Sequence, residues 1–260
     1  LVGSEMCIRD RTFYFLEDGR CFIVREETST GYMHLYLYGI GQGVLHPITQ
    51  GEWEVTDFVG LRGDKVYYIS TESSPLKRDL YRVGLDGKHK ERLTPGDGYY
   101  SIYPSADLSY YICEGGDSSA PGRTDVFNAA GKRVRTLYDN APLKEALVEA
   151  GLPVREFFTF TTERGDELNG YMLKPLDFDP AKRYPVLLTQ YSGPGSQQVA
   201  EGWGPDWEDA LVTHGYIVVC VDPRGTGYRG EEFKKLTYGN LGRLEVEDQI
   251  STARYMARQS

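Results

Sequence analysis

The feature that most restricts what this 260-residue chain can fold into is a pattern that returns across its first half. His34-Leu35-Tyr36 is echoed by Asp79-Leu80-Tyr81 and again by Asp125-Val126-Phe127, a spacing of about 45 residues. Pro47-Ile48-Thr49-Gln50-Gly51 is echoed by Arg92-Leu93-Thr94-Pro95-Gly96, and Tyr67-Tyr68-Ile69 by Tyr110-Tyr111-Ile112. Each unit carries a hairpin cue at the same place: Gly41-Gln42-Gly43, Asp86-Gly87-Lys88 and Ala130-Gly131-Lys132. The runs between turns are short and apolar or aromatic, as in Cys21–Arg25, His34–Tyr38, Val66–Ser70, Leu80–Leu85 and Tyr110–Glu114. Strands this short and this closely spaced indicate an all-β unit. A period of about 40–50 residues with about four strands per unit is the pattern of β-propeller blades. One blade cannot cover both faces of its own small sheet, so successive blades must stack around an axis. About three fit between Thr12 and Asn140, too few to close a ring, so further blades are expected upstream. A β-sandwich with coincidental echoes is the alternative, and the ordered return of strand, turn and closing Thr favours the propeller.

The grammar changes after Asn140. Asn140–Gly151 reads as a linker helix. Asn140 is the expected cap, Pro142 is tolerated in the first turn, and Leu143, Leu147 and Ala150 share a face. Gly151 supplies a left-handed stop with Pro153 just beyond. Arg155–Thr162 and Leu168–Pro175 predict a hairpin around Arg164-Gly165-Asp166, and Pro185–Tyr191 an apolar strand. Trp203, Trp207, Ala210 and Leu211 fall at helical spacing up to Gly215, with both tryptophans expected in the core. Tyr216–Asp222 is wholly apolar before its terminal Asp, as in a sheet covered on both faces. Gly242–Ser260 predicts a helix with Val246, Ile250, Ala253 and Ala257 on its inner stripe. Strands alternating with helices imply an α/β domain with a parallel sheet.

The expected organisation is therefore three segments. Residues 1–11 lack the apolar stretch of a signal peptide, match nothing in the β-rich chain after them, and are read as foreign to the fold. Residues 12–152 are propeller blades plus linker helix, and residues 153–260 the N-terminal part of an α/β domain. The last helix has no capping glycine, so the chain is expected to stop inside that domain.

Composition removes several functions. No run of eighteen apolar residues exists to form a membrane-crossing helix. A net charge of -9, with no basic stripe, argues against a nucleic-acid surface. The four cysteines show neither CxxC nor metal-ligand spacing, and Cys220 sits in an apolar run as a small core residue. No GxxxxGK[ST] and no helix-opening GxGxxG is present, so no phosphate cradle is read. HExxH is absent, and His34, His46, His89 and His214 are isolated, with His214 placed to cap a helix end. No metal or cofactor is expected. Gly-x-Ser-x-Gly is missing too, so no nucleophile–base pair is visible. What remains is a pair of loops at the carboxyl ends of strands, where open α/β sheets bind ligands. These are Tyr191–Gln197 and Asp222–Gly230. Arg224 is expected to organise its own loop through its fixed donors.

At these loops the chain resembles a known family. Tyr184–Gln197 (YPVLLTQYSGPGSQ) is similar to the start of the peptidase domain of the dipeptidyl peptidase IV family. Asp222–Gly230 (DPRGTGYRG), then Leu241-Gly242 and Glu245–Ile250, resemble its next segment in order and spacing. Upstream, Ile48–Asp57, Tyr99-Tyr100-Ser101 and Leu137-Tyr138-Asp139-Asn140 resemble that family's final propeller blades. The likeness runs collinearly from about Gly31 to Ser260. It implies a β-propeller followed by an α/β-hydrolase domain of the prolyl oligopeptidase clan. The implied activity is a serine exopeptidase that takes peptide substrates and removes N-terminal dipeptides, usually after Pro or Ala. It also implies that Tyr191 donates its phenolic OH to the oxyanion of the tetrahedral intermediate; the bare sequence equally allows Tyr191 to pack at the sheet edge. An exported or membrane-anchored protein and a homodimer of the full-length protein are further implications. The departures matter: the family's Ser, Asp and His are expected after Ser260, and its paired glutamates have no match, so this stretch alone is expected to hydrolyse nothing. An acylaminoacyl peptidase, a prolyl endopeptidase and a non-catalytic propeller-based binding relative are the alternatives.

Overall fold

The computed structural model describes residues 12–27 and 30–259; the segment 1–11 lies outside the described residues. The first part builds three four-stranded sheets, each in chain order, and none closes on itself among the described residues. The first contains β1 (Thr12–Phe15), β2 (Cys21–Glu27), β3 (Met33–Gly39) and β4 (Gly43–Pro47). The second contains β5 (Val55–Arg62), β6 (Lys65–Ser70), β7 (Asp79–Gly84) and β8 (Glu91–Arg92). The third contains β9 (Tyr99–Pro104), β10 (Tyr110–Gly116), β11 (Arg123–Asn128) and β12 (Arg133–Tyr138). Pairing is antiparallel throughout the first two sheets.

Side chains alternate across a strand, so each strand can serve two cores. On β6, Tyr68 joins a cluster with Ile23, Leu35, Leu37, Ile48 and Tyr81. Its neighbours Tyr67 and Ile69 join a second cluster with Leu93, Tyr100, Tyr111 and Phe127. The middle sheet is thus covered on both faces, by the first sheet on one side and the third on the other. The repeated sequence position has a consistent physical role. His34, Asp79 and Asp125 each sit in the third strand of their sheet and are buried. His34 Nδ1 meets Thr49 Oγ1 at 3.1 Å, and Thr94 Oγ1 donates to Asp79 Oδ1 at 2.6 Å. Arg123 and Arg133 lie 3.3 and 3.9 Å from Asp125 Oδ2. Burial holds the His34 pKa below its ordinary value, outweighing its bond to the Gly51 carbonyl.

The following helix, α1 (Ala141–Ala150), ends as its sequence implies, with Gly151 at φ 62° and its N–H on Leu147 O at 2.9 Å. Its start differs. Asn140 is itself left-handed, at φ 55°, and makes no side-chain cap. Its Nδ2 instead donates to Gly122 O at 2.6 Å, a longer-range partner that sequence spacing could not reveal. By contacts the chain forms two units. One holds the described residues up to Glu114, Arg123–Tyr138 and Arg229–Glu231; the other holds Gly115–Gly122, Asp139–Tyr228 and the described residues from Glu232, and includes α1.

The second unit is a sheet with the order β13 (Glu156–Thr161), β14 (Glu167–Leu173), β16 (Ile217–Asp222), β15 (Val186–Thr189). It is mixed rather than parallel. β13–β14 and β14–β16 run antiparallel, and only β15–β16 are parallel. The turn closing β13 and β14, with Gly165 at φ 91°, is too short for a crossover, so those two strands must reverse. Every residue of β16 is buried.

Two helix readings need correction. The helix after β15, α2 (Trp207–Thr213), begins at Trp207, because Asp206 caps it and forms a reciprocal box with Asp209. Trp203 therefore lies before the helix, and Trp207 is 55% exposed rather than in the core. Glu208 and Val212 face inward instead. After the short α3 (Glu231–Lys235) comes α4 (Arg243–Ala257). Its Val246 and Ile250 are exposed, as are Ala253 and Ala257, while Leu244, Glu245, Asp248, Ser251 and Thr252 are buried. Apolar periodicity marks a face without saying which face packs. Here a buried ionic contact of Asp248 turns the polar side inward. No helix among the described residues is long and apolar enough to cross a membrane.

Asp79→Ala tests the buried position in the repeat. It strips acceptors from Thr94, Ser73 and Arg92, whose bonds to Asp79 measure 2.6, 2.5 and 3.0 Å. A loss of about 1–3 kcal/mol is expected, read as a lower urea midpoint.

Candidate functional site

Because β15 and β16 are parallel, with Thr189 opposite Cys220, their carboxyl ends open at one edge of the sheet. The loops that leave there are fastened to each other. Asp222 closes β16 and is buried, and its carboxylate accepts the N–H of Gln198 at 3.0 Å and of Val199 at 2.9 Å. Burial raises its pKa above the ordinary value, against the pull of those two N–H groups. Farther out, Gly195 N–H donates to Gly225 O at 2.9 Å and Gly227 N–H to Ser196 O at 2.8 Å. A Cβ at Gly227 would lie 2.6 Å from Gly195 O, so the backbones approach more closely than any other residue allows.

Arg224, 5% exposed, anchors this edge from behind. Its Nε and Nη2 reach Asp248 Oδ1 at 3.0 and 2.7 Å, and its own backbone N–H donates to Asp248 Oδ2 at 2.8 Å. Asp166 Oδ2 lies 3.0 Å from Nη1 and Glu247 Oε2 3.5 Å from Nη2. These carboxylates raise the guanidinium pKa, Asp248 foremost. Arg224 therefore organises more than its own loop: it joins that loop to α4 and to the turn between β13 and β14. All three of its guanidinium nitrogens thus face carboxylates of the protein, as expected of a side chain that organises the loop.

Below the loops, Glu208 is a buried carboxylate that the sequence reading missed, because it was placed on a helix whose inward face was misjudged. It accepts from Tyr171 OH at 2.8 Å and Thr189 Oγ1 at 2.9 Å, linking α2 to β14 and β15. Cys220 is buried, and burial pushes its thiol up to about 12, so it stays protonated and inert. His214 closes α2, with Nδ1 2.7 Å from Ala210 O, away from the loops. Trp203 lines a cavity of about 310 Å³ with Leu147, Leu152 and Leu173 rather than filling a core. Among the described residues no group of three or more His, Cys, Asp or Glu could hold a metal ion.

Tyr191 stands two residues beyond the end of β15, on the loop at the carboxyl edge. It is 71% exposed, and among the described residues nothing hydrogen-bonds its hydroxyl. Chemically the edge offers an exposed hydroxyl donor on a loop fastened by backbone hydrogen bonds.

The family described as Dipeptidyl peptidase IV (DPP IV) N-terminal region matches residues 7–121, beginning inside the segment 1–11. The Prolyl oligopeptidase family matches residues 203–260. A dipeptidyl-aminopeptidase B of Aspergillus niger is 39% identical over 86% of this chain and 26% of that protein. A dipeptidyl peptidase 4 of Arthroderma otae is 33% identical over 91% of this chain and 32% of that protein. The crystal structure of Porphyromonas gingivalis dipeptidyl peptidase 4 superposes with a TM-score of 0.90 and 38% identity, over 98% of this chain and 36% of that one. The chain thus spans between 26% and 36% of the length of these relatives.

The ionic anchor and the loop clamp respond differently to substitution. Asp248→Ala leaves Arg224 buried beside only its two half-exposed acids, and a loss of about 3 kcal/mol in denaturant stability is expected, with a smaller loss for Asp248→Asn. Asp222 has a folded pKa above its unfolded value of 3.8, so the folded chain holds that proton more tightly. Its contribution is therefore lost as pH rises from about 4 upward. Asp222→Asn removes this dependence, and its stability relative to the parent is expected to improve between about pH 4 and pH 7 in urea titrations at both values.

Proposed function

The chain belongs to the dipeptidyl peptidase IV family, and from that membership we propose that the complete protein is a serine exopeptidase. It releases N-terminal dipeptides, Xaa-Pro or Xaa-Ala, from peptide substrates. The three stacked sheets are blades of a β-propeller, and the mixed sheet is the first part of an α/β-hydrolase domain. The stacking of each sheet on the next through shared cores supports the first assignment. The crossover from β15 through α2 to the parallel, fully buried β16 supports the second.

Tyr191 carries the mechanistic reading. Attack of a serine on the scissile carbonyl places negative charge on the carbonyl oxygen, and a donor fixed at that point lowers the barrier. The exposed phenol at the carboxyl edge is such a donor, its hydroxyl bonded to nothing else among the described residues. The second donor is the backbone N–H after the nucleophile, on a Gly-x-Ser-x-Gly turn that these 260 residues do not contain. The acid and base of the reaction likewise lie in other parts of the complete protein.

Full-length protein is assayed on Xaa-Pro amides with free and with blocked amino termini. Hydrolysis confined to the free termini is the expected result, and equal rates on both would assign an endopeptidase or acylaminoacyl peptidase instead. In the same assay Tyr191→Phe is expected to lower kcat about 10²–10³-fold with little change in KM. The 260-residue chain alone should hydrolyse neither substrate.

A further inference from the structure

Tyr191 is exposed and its hydroxyl is bonded to nothing among the described residues, so something other than a hydrogen bond must aim it. The chain beyond it supplies the answer. Ser192 takes a left-handed conformation at φ 58°, uncommon for a residue with a side chain, and its hydroxyl donates to the Gln190 side-chain carbonyl. This reversal carries Gly193 back beneath the aromatic ring. A Cβ added at Gly193 would lie 2.6 Å from Tyr191 Cε1 and 3.3 Å from both Cδ1 and Cζ. The ring therefore rests against backbone at a place where only hydrogen fits.

The platform is held more firmly than the ring. Gly193 O accepts both the N–H of Ser196, at 2.9 Å, and its hydroxyl, at 2.5 Å. Ser196 O takes the N–H of Gly227 at 2.8 Å, and Gly195 N–H donates to Gly225 O at 2.9 Å, so the turn is fixed to the loop leaving β16. Asp222 secures the next two residues, Gln198 and Val199. A clash at residue 193 is resolved by the part that can move, and that part is the exposed tyrosine.

We propose that Gly193 is a positioning residue: its bare Cα face, presented by the left-handed Ser192 and locked through Ser196, sets the direction in which the Tyr191 hydroxyl points. This rests on the reading of Tyr191 as oxyanion donor and deepens it. The glycine is not required by its own backbone, since residue 193 is absent from the glycines with positive φ. It is required by the ring above it.

The test is a double-mutant cycle on the full-length peptidase, with Gly193→Ala and Tyr191→Phe alone and together. Gly193→Ala is expected to lower kcat roughly 10–100-fold by displacing the donor, with KM and melting temperature nearly unchanged. In the Tyr191→Phe background the same change should cost nothing further, since no hydroxyl remains to be misaimed. Equal losses in both backgrounds, or no loss from Gly193→Ala while Tyr191→Phe is impaired, would overturn the positioning role and leave Tyr191's role standing. An unimpaired Tyr191→Phe would overturn both. Should Gly193→Ala fold poorly, Ser196→Ala replaces it in the cycle. That variant frees the platform by removing the hydroxyl bond to Gly193 O, and the same non-additivity with Tyr191→Phe is expected.

Discussion

The tip of β16 is where this α/β unit is held in register, and it works because two nearby residues point in opposite directions. Asp222 turns its carboxylate toward the loop leaving β15 and collects two backbone N–H groups. Arg224, two residues on, turns the other way and engages Asp248 of α4 together with Asp166 at the hairpin turn. Both groups are buried, and buried charge is tolerated only when its partners are complete. The sheet edge, the two loops and the last helix are consequently fixed by one short segment. Above them the exposed Tyr191 ring rests against backbone at Gly193.

The β-rich part solves a different problem by simpler means. The middle sheet carries apolar side chains on both faces, and the neighbouring sheets cover them. The buried polar residue in the third strand of each sheet is bonded within its own unit of the repeat. His34 and Asp79 differ in charge and chemistry, yet both meet a Thr hydroxyl at the same point of the repeat. A Thr that follows Ile48 in one unit and Leu93 in the next is thus a packing element and a polar partner at once.

Much of this was legible because local rules act locally. Strands and hairpin cues in the first half, the hairpin at Gly165, the left-handed stop at Gly151 and the apolar β16 all follow from turn chemistry and period. The errors share one cause. The inner face of α4, the start of α2 and the capping role of Asn140 each depend on a partner far away in sequence. Val246 and Ile250 form a good apolar stripe, but the Arg224–Asp248 contact decides which side of the helix is inward. Asn140 is a good capping residue, but Gly122 O offers its amide a better bond. Glu208 escaped notice for the same reason, since its two hydroxyl partners lie 37 and 19 residues away.

The sequence by itself determined the repeating sheets, the change to an α/β grammar, the absence of a nucleophile elbow and the interest of Tyr191, since all are encoded in residue type and spacing. Only the tertiary structure decided that the sheet is mixed, that α4 turns its polar face inward, and that Gly193 lies beneath the Tyr191 ring. These are matters of distance between atoms that the chain brings together only after folding, and residue order carries no measure of such distance.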